Sequence, residues 1–216
     1  MNDGYDGYFE RQAGRSMTAR DIELKVRWFY SLGRFINRKI AITADQRVLE
    51  IGSGYGGFYG NLKYKSNYTG LEMDPAVASF TNEHFETDVF KTISFEQFVP
   101  DGQFDLVFAF EVLEHLDDPL ESIVRIHETL KTSGTFCGTT PYPYAKNIIH
   151  DSSHKYVLHP KSWERLFTIG GFSKIDLRPA SYIPFLWRLD KRMNPLMACY
   201  NPLPYVLSTC LIIAKP

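Results

Sequence analysis

From about Thr18, apolar residues recur at three- and four-residue steps: Ile22, Val26, Phe29, Tyr30, Gly33 and Ile36. That period predicts an amphipathic helix. Thr18-Ala19-Arg20-Asp21 offers a capping box at its start, and Arg38 and Lys39 suit the dipole at its end. The pattern then changes. Residues 47–51, 68–72 and 104–110 are short apolar runs with little alternation, as expected of strands covered on both faces. Weaker strands are predicted at 85–87, 135–140, 172–177 and 209–215. Between them lie helical stretches. A short one is expected at 58–64, one is opened by Asp74-Pro75, one runs from Asp117-Asp118-Pro119 to Lys131, and one starts at Pro160. Strand alternating with helix predicts an α/β protein with a doubly wound parallel sheet. Ligands of such sheets sit beyond the carboxyl ends of the strands, near the switch point.

Two segments fall outside this alternation. Residues 1–17 place Tyr5, Tyr8, Phe9, Arg11 and Arg15 among glycines, an arm expected to order against something else. Residues 180–206 form an aromatic and basic insert, broken by Pro184, Pro195, Pro202 and Pro204. The expected organisation is an N-terminal arm and helix over the site (1–44), followed by one ligand-binding domain (45–216) that carries the insert. The 44% hydrophobic content excludes a mainly disordered chain, and the formal charge of -1 argues against bulk electrostatic binding of nucleic acid. The three cysteines have neither disulfide-framework nor zinc-knuckle spacing. No apolar run is long enough to span a bilayer, and the first residues are unlike a secretory signal. These features lead us to expect a cytoplasmic location and a small-molecule substrate. The aromatics of the arm and insert, Trp187 and Tyr200 among them, serve equally as a cover for that substrate or as a homodimer contact. Arg15, Arg20, Arg188, Lys191 and Arg192 are candidates for holding its phosphate or carboxylate.

The glycine loop carries the first chemistry. Gly52-x-Gly54-x-x-Gly57 follows a strand, and Glu72 lies 20 residues after Gly52 at the end of the next strand. This spacing fits a nucleotide-type cofactor whose ribose hydroxyls meet the acid; the bland alternative is a plain tight turn. Glu50 stands immediately ahead of the loop, where a pyrophosphate would be unwelcome and an α-ammonium group suited. Asp88, taken as following the third strand, can accept from an adenine amine. Three acids around one crevice favour the cationic S-adenosylmethionine over NAD. Ser53 and Met73 complete the expected lining.

These residues also resemble a known family. VLEIGSGYGG (48–57), YTGLEMDP (68–75), TDVF (87–90), FDLVFAFEVLEHLDDP (104–119), LKTSGTF (130–136) and an H-x4-HPxxWxxLFxxxGF stretch (154–172) are similar to class I S-adenosylmethionine-dependent methyltransferases. The nearest types are ubiquinone-pathway O-methyltransferases and bacterial small-molecule or sugar methyltransferases. The resemblance covers about residues 45–178. It implies a Rossmann-like seven-stranded sheet with six parallel strands and an antiparallel last strand at 209–215. It also implies that Gly52 and Gly54 face the methionine end, Glu72 the ribose, and Asp88 with Val89 the adenine, with Phe110 closing the pocket.

Glu111-x-x-Glu114-His115 follows the fourth strand, and His154 follows the fifth. Carboxylates and imidazoles at this edge are competent ligands for Mg²⁺ or another divalent cation. In ubiquinone-pathway and small-RNA 3′-terminal 2′-O-methyltransferases, the resembling pattern is a metal site. The alternative is a plain helix start, with His115, His150 or His154 as a metal-free general base and Asp151 orienting it. Three functional readings fit these residues: O-methylation of a sugar, sugar nucleotide, diol or phenol; 2′-O-methylation of an RNA 3′ end; or NAD-dependent oxidoreduction. A non-catalytic binding module on the same fold is the bland fourth.

Overall fold

A computed structural model describes residues 14–143, 153–182, 189–190, 192, 196–198 and 207–216. In chain order the elements are α1 (Ala19–Lys39), β1 (Val48–Ile51), β2 (Tyr68–Glu72), α2 (Pro75–Phe85), β3 (Phe90–Thr92), β4 (Phe104–Phe110), α3 (Pro119–Thr129), β5 (Leu130–Pro141), α4 (Pro160–Ile169), β6 (Lys174–Tyr182), β7 (Leu196–Ala198) and β8 (Leu207–Lys215). Short 3₁₀ turns occupy Tyr59–Asn61 and Leu113–His115.

The sheet order is β3-β2-β1-β4-β5-β8-β6-β7. β1 pairs in parallel with both β2 and β4, so the switch point lies between β1 and β4. β8 runs antiparallel between β5 and β6. The expected fold is therefore present: β1 to β6 run parallel, and the last strand is reversed. β7, inside the proline-rich insert, adds a short antiparallel edge to β6.

Both faces of the sheet are buried, which is why its strands do not alternate in sequence. Leu49, Ile51, Val107, Ala109, Phe136 and Ile212 pack on one side with Ile123 and Ile126 of α3 and Trp163 and Phe167 of α4. Val48, Leu106, Phe108, Phe110 and Leu211 pack on the other with Leu32 and Ile36 of α1 and with Phe58. The predicted caps form. The Asp74 carboxylate accepts from the N–H groups of Ala76 (3.0 Å) and Val77 (3.4 Å). That of Asp118 accepts from Leu120 and Glu121, both at 2.9 Å. The Asp21 carboxylate accepts from the Thr18 N–H at 2.8 Å and hydroxyl at 2.7 Å.

Two local expectations are corrected, and one cap is added. The stretch 58–64 forms only the Tyr59–Asn61 turn, because α1 lies directly against it. A Cβ on Gly57 would stand 2.5 Å from Phe29, and one on Gly60 would stand 2.5 Å from Val26. His159 caps α4, its Nδ1 accepting from the Lys161 N–H at 3.2 Å. The third strand is not 85–87. α2 continues to Phe85 and ends on Glu86 at φ 51. The Asn82 amide then clamps Phe90, donating to its carbonyl (2.8 Å) and accepting from its N–H (3.1 Å). β3 starts there.

Candidate active site

At the carboxyl end of β1 the chain turns through Gly52 (φ 66) and Gly54 (φ 50). A side chain at Gly52 would stand 2.4 Å from Val112, which lies just past β4, so glycine is required by both conformation and space. The buried Ser53 donates to the Leu71 carbonyl through its N–H (2.9 Å) and hydroxyl (3.3 Å), tying the loop to β2. The carboxylate of Glu72 accepts from the Gly54 N–H through one oxygen and from the Asp74 N–H through the other, both at 2.9 Å. Burial pushes the Glu72 carboxyl up, and these two N–H groups oppose that shift. Its position and remaining lone pairs suit two ribose hydroxyls. Met73 comes next, half-buried.

Glu50 is buried on the face of Phe108 and Phe110, one layer below the loop. It accepts a short hydrogen bond from the Tyr68 hydroxyl. Burial pushes its carboxyl up to about 8. Between about 4.5 and 8 the folded chain thus holds a proton that the unfolded chain has released. The resulting stability is complete below the lower value and is lost as pH rises through the upper one. Glu50→Gln keeps an acceptor for Tyr68 and removes the titration. Its melting temperature relative to the parent is expected to rise between pH 5 and pH 9. Parallel melting curves across that range would contradict this assignment.

Phe110 is buried against Phe29 of α1 (ring centroids 5.5 Å), Phe58 (5.0 Å) and Phe108 (5.7 Å). The aromatic wall beside the switch point is therefore shared with the N-terminal helix. Arg15, a candidate for a substrate anion, is engaged by an acid of α1. Its guanidinium forks onto Asp21 at 2.8 and 2.5 Å. Arg188, Lys191, Trp187, Tyr200, His150 and Asp151 lie outside the described residues.

Asp88 and Val89 are a correction. They precede β3 instead of following it. Phe90 pairs with Gly70, so Asp88 is level with the start of β2, four residues or about 13 Å of strand from the level of Glu72. The Asp88 side chain is 97% exposed, with Lys91 at 3.9 Å. The segment that leaves β3 at the carboxyl edge is Ile93-Ser94-Phe95. No apolar run marks it in the sequence, because Lys91 and Thr92 of β3 are exposed.

The chain beyond β4 brings the other candidates together. Glu111 takes φ 54, a left-handed conformation unusual for a side-chain-bearing residue. The 3₁₀ turn then buries Glu114 completely. Its Oε1 is 3.9 Å from His115 Nε2 and 4.0 Å from His154 Nε2. One donor atom from each of the three lies within 4.8 Å of the others. His115 Nδ1 meets the Ser153 carbonyl at 3.1 Å, which directs Nε2 toward Glu114. The Glu114 carbonyl accepts from the N–H groups of Lys155 (2.8 Å) and Tyr156 (3.1 Å), and the Tyr156 hydroxyl donates to the Asp117 carbonyl at 2.9 Å. His154 is thereby stitched to a turn 40 residues away in sequence. Glu111 does not join this group. Its carboxylate is 2.7 Å from the Thr209 hydroxyl of β8.

A glycine loop, a buried strand-end acid and a polar cluster thus meet at one switch point. A family model for a methyltransferase domain matches residues 24–176, and the chain belongs to that family. It is 34% identical over 98 residues to a ubiquinone biosynthesis O-methyltransferase of Pseudomonas aeruginosa, a match spanning 42% of each chain. It is 23% identical over 178 residues to the protein of that name from Coxiella burnetii, covering 73% of this chain and 76% of the other. Among solved structures, an S-adenosylmethionine-dependent methyltransferase from Thermotoga maritima superposes with a TM-score of 0.68 at 17% identity, over 96% of this chain and 97% of that one. One from Archaeoglobus fulgidus gives 0.66 at 20%, over 97% and 98%. The chain spans less than half the length of the Pseudomonas relative it matches, and it carries a methyltransferase domain on the fold of S-adenosylmethionine-dependent methyltransferases. Among the described residues no helix is long and apolar enough to cross a membrane.

Proposed function

We propose that this enzyme methylates a hydroxyl of a small molecule bearing vicinal oxygens, a catechol, diol or sugar, with a divalent cation held by Glu114, His115 and His154. The observation that carries this reading is the buried carboxylate facing two imidazole nitrogens at 3.9 and 4.0 Å. Donors about 2.0–2.2 Å from one ion in tetrahedral geometry stand about 3.3–3.6 Å apart, so the three side chains would draw in by several tenths of an ångström to hold it. The likeness to ubiquinone O-methyltransferases supports oxygen as the acceptor atom.

When bound, the ion supplies Lewis acidity that lowers the pKa of the attacking hydroxyl. The protein's own residues do the rest. Glu72 and the glycine loop fix the nucleoside. Phe110 and Phe29 wall the crevice against water. His115, oriented through Ser153, and His154 line the acceptor side. Methyl transfer then needs the acceptor oxygen in line with the sulfur–methyl bond. One carboxylate with two imidazoles favours Mn²⁺, Co²⁺ or Zn²⁺ over Mg²⁺.

The test is methyl transfer to catechol and to phenol after chelation and after adding back Mn²⁺. Catechol turnover is expected to depend on the metal and to exceed that on phenol. Equal rates on both, unaffected by chelator, would favour the metal-free histidine base. Glu111→Gln is expected to keep Co²⁺ binding within about threefold of the parent, because removing a group outside the donor set leaves the coordination intact. A loss of tenfold or more by absorption titration would place Glu111 among the ligands.

A further inference from the structure

Lys25 lies one turn before Phe29, on the face of α1 that also carries Leu32 and Ile36 into the core. Phe29 meets Phe110 at the end of β4, so Lys25 stands over the chain that leaves β4 at Glu111. Its carbonyl lies against the glycine loop, 3.0 Å from where a Cβ on Gly57 would be. The Lys25 side chain keeps accessible surface, as a group lining an open crevice does. The protein around it still desolvates the ammonium and pushes its pKa down, while the charge of Glu111 opposes that shift. Among the described residues no group pairs with this ammonium.

Glu111 stands across from it and is accessible in the same way. Desolvation pushes its carboxyl up, opposed by hydrogen bonds from Thr209 and Thr139 and by the charges of His154 and Lys25. The backbone holds it at φ 54, and the Thr209 hydroxyl of β8 fixes its carboxylate at 2.7 Å. A residue kept in so sparsely populated a conformation by its surroundings is a mark of a working site.

Two opposite charges that face one crevice without pairing leave room for a group that accepts from one and donates to the other. We propose that Lys25 and Glu111 hold a neutral hydroxyl of the acceptor, the ammonium donating to its oxygen and the carboxylate accepting its hydrogen. The pair thereby selects uncharged polyhydroxy acceptors over carboxylated or aminated ones. The inference rests on the acceptor class proposed above and adds a hydroxyl beside its two vicinal oxygens. A carboxylate in that place would meet Glu111 as a like charge, and an ammonium would meet Lys25; either contact is costly where water is scarce. A hydroxyl serves both partners.

The experiment measures calorimetric affinities of the S-adenosylhomocysteine complex, with Mn²⁺ present, for catechol, pyrogallol, 2,3-dihydroxybenzoate and 3-(aminomethyl)catechol. The parent is expected to bind pyrogallol at least about tenfold more tightly than catechol, the range of one hydrogen bond to a charged group. It is expected to bind both charged compounds more weakly than pyrogallol. Glu111→Gln leaves the ammonium unopposed and is expected to raise the affinity for the benzoate relative to pyrogallol by at least about tenfold. Lys25→Met leaves the carboxylate unopposed and is expected to do the same for the aminomethyl compound. Such opposite gains are not produced by loss of a merely structural contact. A parent that prefers pyrogallol by less than threefold, or variants whose charge preferences do not move in opposite directions, overturns the proposal while leaving the catechol reading in place. A parent complex that binds none of the four compounds overturns that reading, and this subsite with it.

Discussion

Glu72→Ala is expected to weaken S-adenosylhomocysteine binding by at least about a hundredfold. Two hydrogen bonds from a ribose diol to a carboxylate contribute about 1.5–3 kcal/mol each, so their joint loss alone reaches that range. The substitution also strands the Gly54 and Asp74 N–H groups, which the carboxylate now satisfies at 2.9 Å each. The glycine loop would lose its tether to the start of α2, adding disorder at the place where the nucleoside must enter. Glu72→Gln separates the two effects. Its amide oxygen can accept from one N–H but cannot serve two N–H groups and two hydroxyls together, so an intermediate affinity is expected. Calorimetry with parallel thermal melts measures both. A Glu72→Ala protein that binds within threefold of the parent would mean that the ribose sits elsewhere.

Most of the scaffold was legible because burial on both faces writes itself into the sequence. β1 and β4 are apolar without alternation, and Asp74-Pro75 and Asp118-Pro119 announce helix starts through local hydrogen bonds. The failures come where a segment is specified by distant partners. β3 is three residues long with Phe90 alone buried, and its start depends on Asn82 and on the rings of Tyr59, Tyr68 and Phe85 around Phe90. That displacement carries Asp88 from the crevice to the opposite edge. β7 depends likewise on pairing with β6. The E-x-x-E-H spacing suggests a shared helical face, but the left-handed turn at Glu111 and the 3₁₀ geometry after it separate Glu111 from Glu114. Neither feature has a signature in residue type. His154 is nameable as a candidate, yet its approach to Glu114 is produced by hydrogen bonds across some forty residues.

Glu114→Gln and His154→Ala are expected to lose Co²⁺ binding by at least about a hundredfold each and to lose turnover on catechol with it, since a three-donor site reduced to two retains little affinity or geometry. The two substitutions fail differently in every other respect. Glu114 is wholly buried and faces two imidazoles. Glu114→Gln keeps its shape and removes its carboxylate, so the apo variant is expected to melt near the parent temperature. His154→Ala leaves the carboxylate and opens a gap beside it, so its apo form is expected to melt lower. Both variants should bind S-adenosylhomocysteine within about threefold of the parent, because neither residue belongs to the loop or to Glu72, and well-separated sites act nearly additively. If both keep full catechol turnover while Co²⁺ binding is abolished, the ion has no part in the chemistry and the imidazole of His115 becomes the proton acceptor. If only His154→Ala loses turnover, His154 itself holds that proton.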